Sequence, residues 1–193
     1  MISYVSKIKN FFSKEPVKND PEFIWKYMDI DQNLIDEIKE IYLKNIKKDL
    51  THYGFYQNID VTIPNILDKK VDMPVLIYCP RKYVPPFCHK DLKDRVLNGN
   101  IVTHSTLALN IPLINCENSR TIFYNCEHSL DKFIYKGRPT EVKDISKCKE
   151  IESYVLDKPI LFNTQVLHAV FNHSDMPRLA ISLRFEKNPI NWL

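Results

Sequence analysis

Glycine is scarce in this chain, with three in 193 residues. That excludes the Gly-rich loops that let a backbone close around phosphate groups. The cysteines are few and unpaired in pattern: Cys79, Cys88, Cys116, Cys126 and Cys148, an odd number with no Cys-x-x-Cys. A zinc ribbon or a disulfide framework is therefore not expected, and reduced thiols in a cytoplasmic setting are. No apolar run approaches the length of a membrane span. The N-terminal stretch MISYVSKIKNFFSK mixes lysines with apolar residues and lacks the continuous apolar block of a secretory signal. It reads as a segment docked on the protein's own body, with an amphipathic helix on a membrane as the alternative. Charge of one sign is lacking too. The 27 basic and 24 acidic side chains leave a formal net charge of +3, which makes no case for nucleic acid.

What is present is an ordinary globular composition, 44% apolar and 26% charged, in a chain long enough for one well-buried domain. EFIWKYMDI (22–30) reads as a strand. A helix follows, with Asp31 as N-cap and Leu34, Ile35, Ile38, Ile41, Tyr42 and Ile46 on one stripe. After Thr51 the texture changes to short runs rich in β-branched and aromatic residues, separated by Pro, Asn, Asp and Lys. The segments MPVLIYCP, STLALNIPLI, RTIFYNC, YVLDKPILFN, TQVLHAVFN and RLAISLRFE are examples. With no repeat or linker, the expectation is one domain over 1–193. Residues 1–50 supply a strand and a supporting helix, and 51–193 form an antiparallel β sandwich or barrel. Pro74, Pro80, Pro112, Pro159 and Pro177 sit where strands begin, end or form edges.

The chemistry-bearing residues cluster in two places. PPFCHKDLKD contains His89-Lys90-Asp91, and residues two apart on an extended chain point the same way, about 7 Å apart at the backbone. A single strand can thus offer an imidazole and a carboxylate to one ion, and His168 can supply a third ligand from another strand. Two imidazoles and one carboxylate on one face of an ion leave the opposite face open, the arrangement used by non-haem Fe(II) oxygenases. The second place is RLAISLRF. Leu179, Ile181, Leu183 and Phe185 alternate with Arg178, Ala180, Ser182 and Arg184. After a hairpin from His168, this strand is expected to present Arg178 inward, where a buried guanidinium needs an anion such as the far carboxylate of a diacid. Ser182 shares that face and offers a hydroxyl.

His-x-Asp, a distal His, an Arg ten positions later and a Ser four beyond that resemble the 2-oxoglutarate- and Fe(II)-dependent dioxygenases. The likeness is greatest to the prolyl-hydroxylase-like and small phage-type members. It spans roughly Tyr78 to Phe185, with RLAIS and LALNIPL as matching strands. The resemblance implies a double-stranded β-helix (jelly-roll) fold and an enzyme using iron, 2-oxoglutarate and O2, which hydroxylates a substrate and releases succinate and CO2. It implies His89, Asp91 and His168 as iron ligands, and Arg178 and Ser182 as the grip on the distal carboxylate of 2-oxoglutarate. Tyr78 and Asn110 fall at positions that can contact the cosubstrate. The family's Gly-Gly before its T-x-F strand is replaced by NCENSRTIFY, and the stretch from about 125 to 155 has no counterpart; it is read as a cover for the site and a seat of substrate choice. The substrate, a small molecule or a peptide side chain, is not named by any of these residues.

Rival readings stand beside this one. His104 is the alternative to His89, although no carboxylate follows it two residues on. His52, His128 and His173 read as ordinary loop or surface residues, and Cys126 to His128 (CEH) as loop. Cys88, next to His89, should face away into the core. From other functional classes, a non-catalytic jelly-roll binding module and a cupin-type metal-dependent hydrolase or isomerase remain open. The latter needs the ion but has no use for Arg178.

Overall fold

The structure is a computed structural model that describes residues 24–46, 54–56, 71–91, 94–97, 100–103, 105–126, 131–135 and 138–185. The N-terminal lysine-rich segment, His52, His104 and His128 lie outside the described residues, as does part of the 125–155 stretch.

The chain is mainly β. Among the described residues two six-stranded antiparallel sheets face each other, with one α-helix on the outside of the first. The first sheet contains β1 (Trp25–Tyr27), β2 (Gly54–Tyr56), β3 (Val71–Cys79), β7 (Leu107–Ile114), β12 (Ile160–Asn163) and β14 (Arg178–Phe185), in the order β1-β12-β7-β14-β3-β2. The second contains β4 (Phe87–His89), β8 (Ser119–Asn125), β9 (Asp131–Tyr135), β10 (Arg138–Asp144), β11 (Lys149–Val155) and β13 (Leu167–Asn172), in the order β11-β8-β13-β4-β10-β9. A separate two-stranded ribbon joins β5 (Asp94–Leu97) and β6 (Asn100–Thr103).

Helix α1 (Gln32–Asn45) starts where Asp31 accepts hydrogen bonds from the backbone N–H groups of Asn33 (2.8 Å) and Leu34 (3.3 Å). These satisfy two donors that a helix start otherwise leaves without partners. Ile35, Ile38 and Tyr42 recur on one face and are buried, packed with Leu109, Ile111, Ile181, Leu183 and Phe185. Helical period on one side and strand period on the other thus meet in one core. This explains the alternation of β14. Its apolar residues lie under α1. Ala180, on the opposite face, packs with Phe123, Tyr154 and Phe162 of the core between the sheets.

Two expectations are corrected, and the 125–155 stretch gains a place in the fold. The connection from β13 to β14 is not a hairpin, because the two strands belong to opposite sheets and the chain crosses between them through 173–177. Asn172 ties that corner together by donating to the carbonyls of Pro80 and Met176, each at 2.8 Å. The described part of the 125–155 stretch is built into the second sheet, where β9 and β10 extend one edge and β11 forms the other. Not all five thiols are free. Cys126 and Cys148 form a disulfide, while Cys79, Cys88 and Cys116 are free and buried. The reason is register: β11 pairs with β8 from Lys149 opposite Asn125, which sets the two flanking cysteines side by side.

The prolines follow the limits of sheet pairing. Pro112 lies in β7 past the end of β12, whose pairing stops at Asn110, so no ladder bond is demanded of its missing N–H on that side. Among the described residues no helix is long and apolar enough to cross a membrane.

Candidate metal centre

Strand β4 is three residues long and is held on both sides. Cys88 and His89 pair with Lys143 and Val142 of β10, and His89 stands directly opposite His168 of β13. Cross-strand partners share a face, so the two imidazoles point together into the space between the sheets, with ring centroids 4.7 Å apart. Two residues beyond His89, Asp91 is fixed by its backbone. Its N–H donates to the Thr164 carbonyl (3.0 Å), and its own carbonyl accepts from the Gln165 side-chain amide (3.1 Å). Thr164 is in turn bound to the Thr106 carbonyl through both its N–H (2.9 Å) and its hydroxyl (2.8 Å).

The result is a compact group. Oδ1 of Asp91 lies 3.5 Å from Nε2 of His89 and 3.9 Å from Nε2 of His168. The potential ligand atoms of the three residues all fall within 4.8 Å of one another. Adjacent ligands on an octahedral ion with bonds of about 2.1 Å lie about 3 Å apart. These donors therefore need to close by less than about 1 Å on average to hold one ion. The tautomer is prepared as well. Nδ1 of His168 sits 2.9 Å from the Val166 carbonyl, so it carries the proton and leaves the Nε2 lone pair toward Asp91.

Electrostatics favours the ligating forms. Burial, the largest influence, together with the repulsion of His89 and Arg184, pushes His168 down to about 4 against the opposing pull of the Asp91 carboxylate. It is neutral near pH 7. Burial works against ionisation of Asp91, but the Arg184 guanidinium and the two imidazoles outweigh it and hold the carboxyl well below the usual carboxylate range. Because the folded His168 pKa lies below the unfolded value near 6.5, its contribution to stability is fully present above that value and is lost as pH falls toward about 4. Urea unfolding of the metal-free protein between pH 7 and pH 4 should therefore show a loss on the order of 3 kcal/mol from this residue. A flat or rising stability over that window would contradict the placement of His168.

Arg184 was legible in the sequence only as an inward cation; the structure gives it a partner. Its Nη2 donates to Oδ2 of Asp91, leaving Oδ1 toward the imidazoles. One carboxylate thus serves a guanidinium with one oxygen and the imidazole pair with the other, a division that fixes its orientation. The Phe162 ring closes the site from β12. It is 5.2 Å from the His168 ring in an edge-on contact and 6.0 Å from the Arg184 guanidinium. Replacing Arg184 with methionine should weaken ferrous-ion affinity about 10- to 100-fold. Competition against a chelator reads this directly, and unchanged affinity would reduce Arg184 to a charge-balancing role.

The remaining sequence-derived residues divide by strand parity. Arg178 is 1% exposed, and its Nε and Nη1 atoms are buried without a hydrogen-bond partner. Ser182 Oγ and Asn110 Oδ1 are in the same condition, and these two residues stand opposite each other in the β14–β7 register. Tyr78 is not among them. It is the cross-strand partner of Leu179 and packs in the cluster under α1, on the far side of the sheet from the centre. Tyr154 of β11 occupies a comparable place. It is buried, its hydroxyl accepts from Asn110 Nδ2 (3.2 Å), and it feels the charge of both Arg178 and Asp91. Nothing in the sequence marked it out, because the register that turns Tyr154 inward is set by pairing with β8. Cys88 faces outward from this centre and is fully buried, as expected.

No protein-family model matches the chain, and no curated protein matches it in sequence. Solved structures do match. EvdMO1 is 16% identical with a TM-score of 0.45, over 86% of this chain and 47% of that one, so this chain spans about half the length of EvdMO1. HygX from Streptomyces hygroscopicus with nickel and 2-oxoglutarate bound is 8% identical with a TM-score of 0.42, over 83% of this chain and 80% of that one. The iron-bound form of HygX is 8% identical with a TM-score of 0.40, over 83% and 81% respectively.

Proposed function

We propose that this chain is a single-domain 2-oxoglutarate- and Fe(II)-dependent oxygenase of the double-stranded β-helix type, acting on an unidentified substrate with O2 and releasing succinate and CO2. The observation that carries the reading is the pairing of two features in one inter-sheet interior. A His-Asp-His group has donor atoms within 4.8 Å of one another, and a fully buried arginine has two nitrogens without partners. Either feature alone has other uses. Together they match a metal ion and a diacid that chelates it at one end.

In this reading His89, Asp91 and His168 hold the iron. Bound iron and 2-oxoglutarate would supply oxidative decarboxylation coupled to hydroxylation of a substrate C–H bond. The chain's own work is positional. Arg178 neutralises the distal carboxylate of 2-oxoglutarate, and Ser182 Oγ and Asn110, both on its inward side, offer further polar contacts. Tyr154 takes the place first given to Tyr78, because its hydroxyl is within electrostatic reach of both the arginine and the metal-binding acid. Phe162 and Phe123 flank His168 and exclude water from the ion's protein-facing side.

A cupin-type hydrolase or isomerase would use the same three ligands and leave Arg178 without an anion. A non-catalytic binding module would leave both features unused, at the cost of burying charged groups to no purpose. The experiment is anaerobic reconstitution with Fe(II), addition of 2-oxoglutarate, admission of air and measurement of succinate. Slow succinate release without substrate, dependent on both iron and O2, is expected. Stoichiometric iron binding with no 2-oxoglutarate binding would shift the assignment to the cupin class, and absence of both would favour the module.

A further inference from the structure

Behind the candidate metal centre, on the outer face of the same sheet, lies a second cluster of ligating atoms. Cys88 and His89 are consecutive on β4, so their side chains leave the strand on opposite faces. Cys88 enters the outer cluster formed by Ile122, Tyr124, Leu167, Ala169 and Phe171, against which Cys126 and Cys148 pack. Its Sγ lies 3.8 Å from Sγ of Cys148, and all three sulfurs fall within 4.8 Å of one another. Cys126 and Cys148 are joined, so two electrons separate this cluster from three thiols.

We infer that Cys88, Cys126 and Cys148, once reduced, form a second metal site: a trigonal three-thiolate site for monovalent copper. Three sulfurs around one ion at about 2.3 Å lie roughly 3.8–4.0 Å from each other. The Cys88–Cys148 separation already has that value, Cys126 lies within 4.8 Å of Cys88, and the bonded pair has to part. Soft thiolate donors select Cu(I) and Zn(II) among the common ions. Zn(II) in structural sites almost always takes four protein ligands, and the group that the described residues bring together holds three. Three donors suit Cu(I).

The chemistry balances with a dithiol as reductant. The dithiol gives two electrons and two protons to the Cys126–Cys148 bond, becomes a disulfide itself and leaves two protein thiols. Cu(I) then displaces three thiol protons and binds three sulfurs. The burial pattern permits this traffic, since Cys126 and Cys148 are only partly buried while Cys88 is closed off beneath them. The framework of the site does not depend on the disulfide alone. Cys88 donates to the Lys143 carbonyl and Cys148 sits near the Asp144 carbonyl, both at 3.4 Å, and both carbonyls belong to β10. The Ile145–Lys147 turn is closed independently by the Cys148 N–H donating to the Ile145 carbonyl.

The test uses the full chain, reduced with dithiothreitol, freed of it without air, and titrated with Cu(I) against a chromogenic Cu(I) chelator. The reduced protein should withdraw one equivalent of copper, gain sulfur-to-copper absorption in the ultraviolet, and show three sulfur neighbours at about 2.3 Å by X-ray absorption. Cys126→Ser should weaken binding by at least about a hundredfold, and the protein left oxidised should not bind. His168→Ala should retain the copper equivalent. Reduced protein that withdraws no more copper than the Cys126→Ser variant overturns the site. So does a copper equivalent lost with His168→Ala, which would place the ion in the other centre. Unchanged affinity in Cys88→Ser, with its fold verified by circular dichroism, overturns the three-thiolate geometry.

Discussion

Arg178→Met should raise the dissociation constant for 2-oxoglutarate by at least about a hundredfold while iron binding stays within a few-fold of the parent. The size follows from burial. Truncating one partner of a buried, hydrogen-bonded charge pair costs about 2–5 kcal/mol, much of it the penalty of leaving the other charge unpaired. Arg178 is 1% exposed and lies in a low-dielectric interior, so water cannot replace the missing guanidinium. The free protein should react in the opposite sense. Nε and Nη1 of Arg178 are buried without partners, and methionine keeps the length of the side chain while removing that cost. Arg178→Met is therefore expected to be as stable as the parent or more so. Calorimetric titration of 2-oxoglutarate into the iron-loaded protein, beside urea unfolding of the metal-free protein, measures both. Retained 2-oxoglutarate affinity would remove the diacid from the reading and return the centre to the cupin class.

His168→Ala should abolish stoichiometric iron binding and, with it, succinate release. A three-ligand site has no ligand to spare, and His168 is the one whose free nitrogen is oriented by a backbone carbonyl, 2.9 Å from its Nδ1. Asp91→Ala should also lose the ion, but with a different cost to the fold. Arg184 pairs with Asp91 and is itself buried, so deleting the carboxylate leaves a guanidinium in the interior. Removal of one member of a buried pair costs on the order of 3–5 kcal/mol. Loss of a neutral histidine from the same wall leaves no charge unpaired and costs its packing against Phe123 and Phe162 and its hydrogen bond to the Val166 carbonyl. Iron content after desalting and unfolding midpoints in urea separate the two variants. Equal destabilisation by both would mean that Arg184 finds another partner when Asp91 is gone.

These outcomes rest on a site that the sequence revealed in part. The His89–Asp91 spacing and the β14 alternation are local features, governed by the two-residue period of extended chain, and both could be read without coordinates. The inward turn of Arg178 and Ser182 follows from the same parity once the apolar face of β14 is given to the helix. Tyr78 shows where parity stops. Tyr78 and Cys79 are neighbours, one must face each way, and the choice was made by pairing Leu179 opposite Tyr78 and Arg178 opposite Cys79. A register shift of one residue would have reversed it. Tyr154 and the Arg184–Asp91 pair were out of reach for the same reason, since each depends on strands far apart in sequence meeting at a particular offset.

The sequence by itself determined the candidate ligand types, the faces of individual strands, the capped amphipathic helix and the scarcity of glycine that excludes phosphate loops. These are properties of a few adjacent residues and of stereochemistry that does not change with context. Tertiary structure alone decided that His89 stands across from His168, that Asp91 gives one oxygen to Arg184, and that three cysteines spaced over 60 residues meet behind the same strand. Each of these is a contact between distant segments. Such contacts are selected by which sheet edge a strand joins and in what register, and that choice is fixed by the whole core rather than by any stretch of chain.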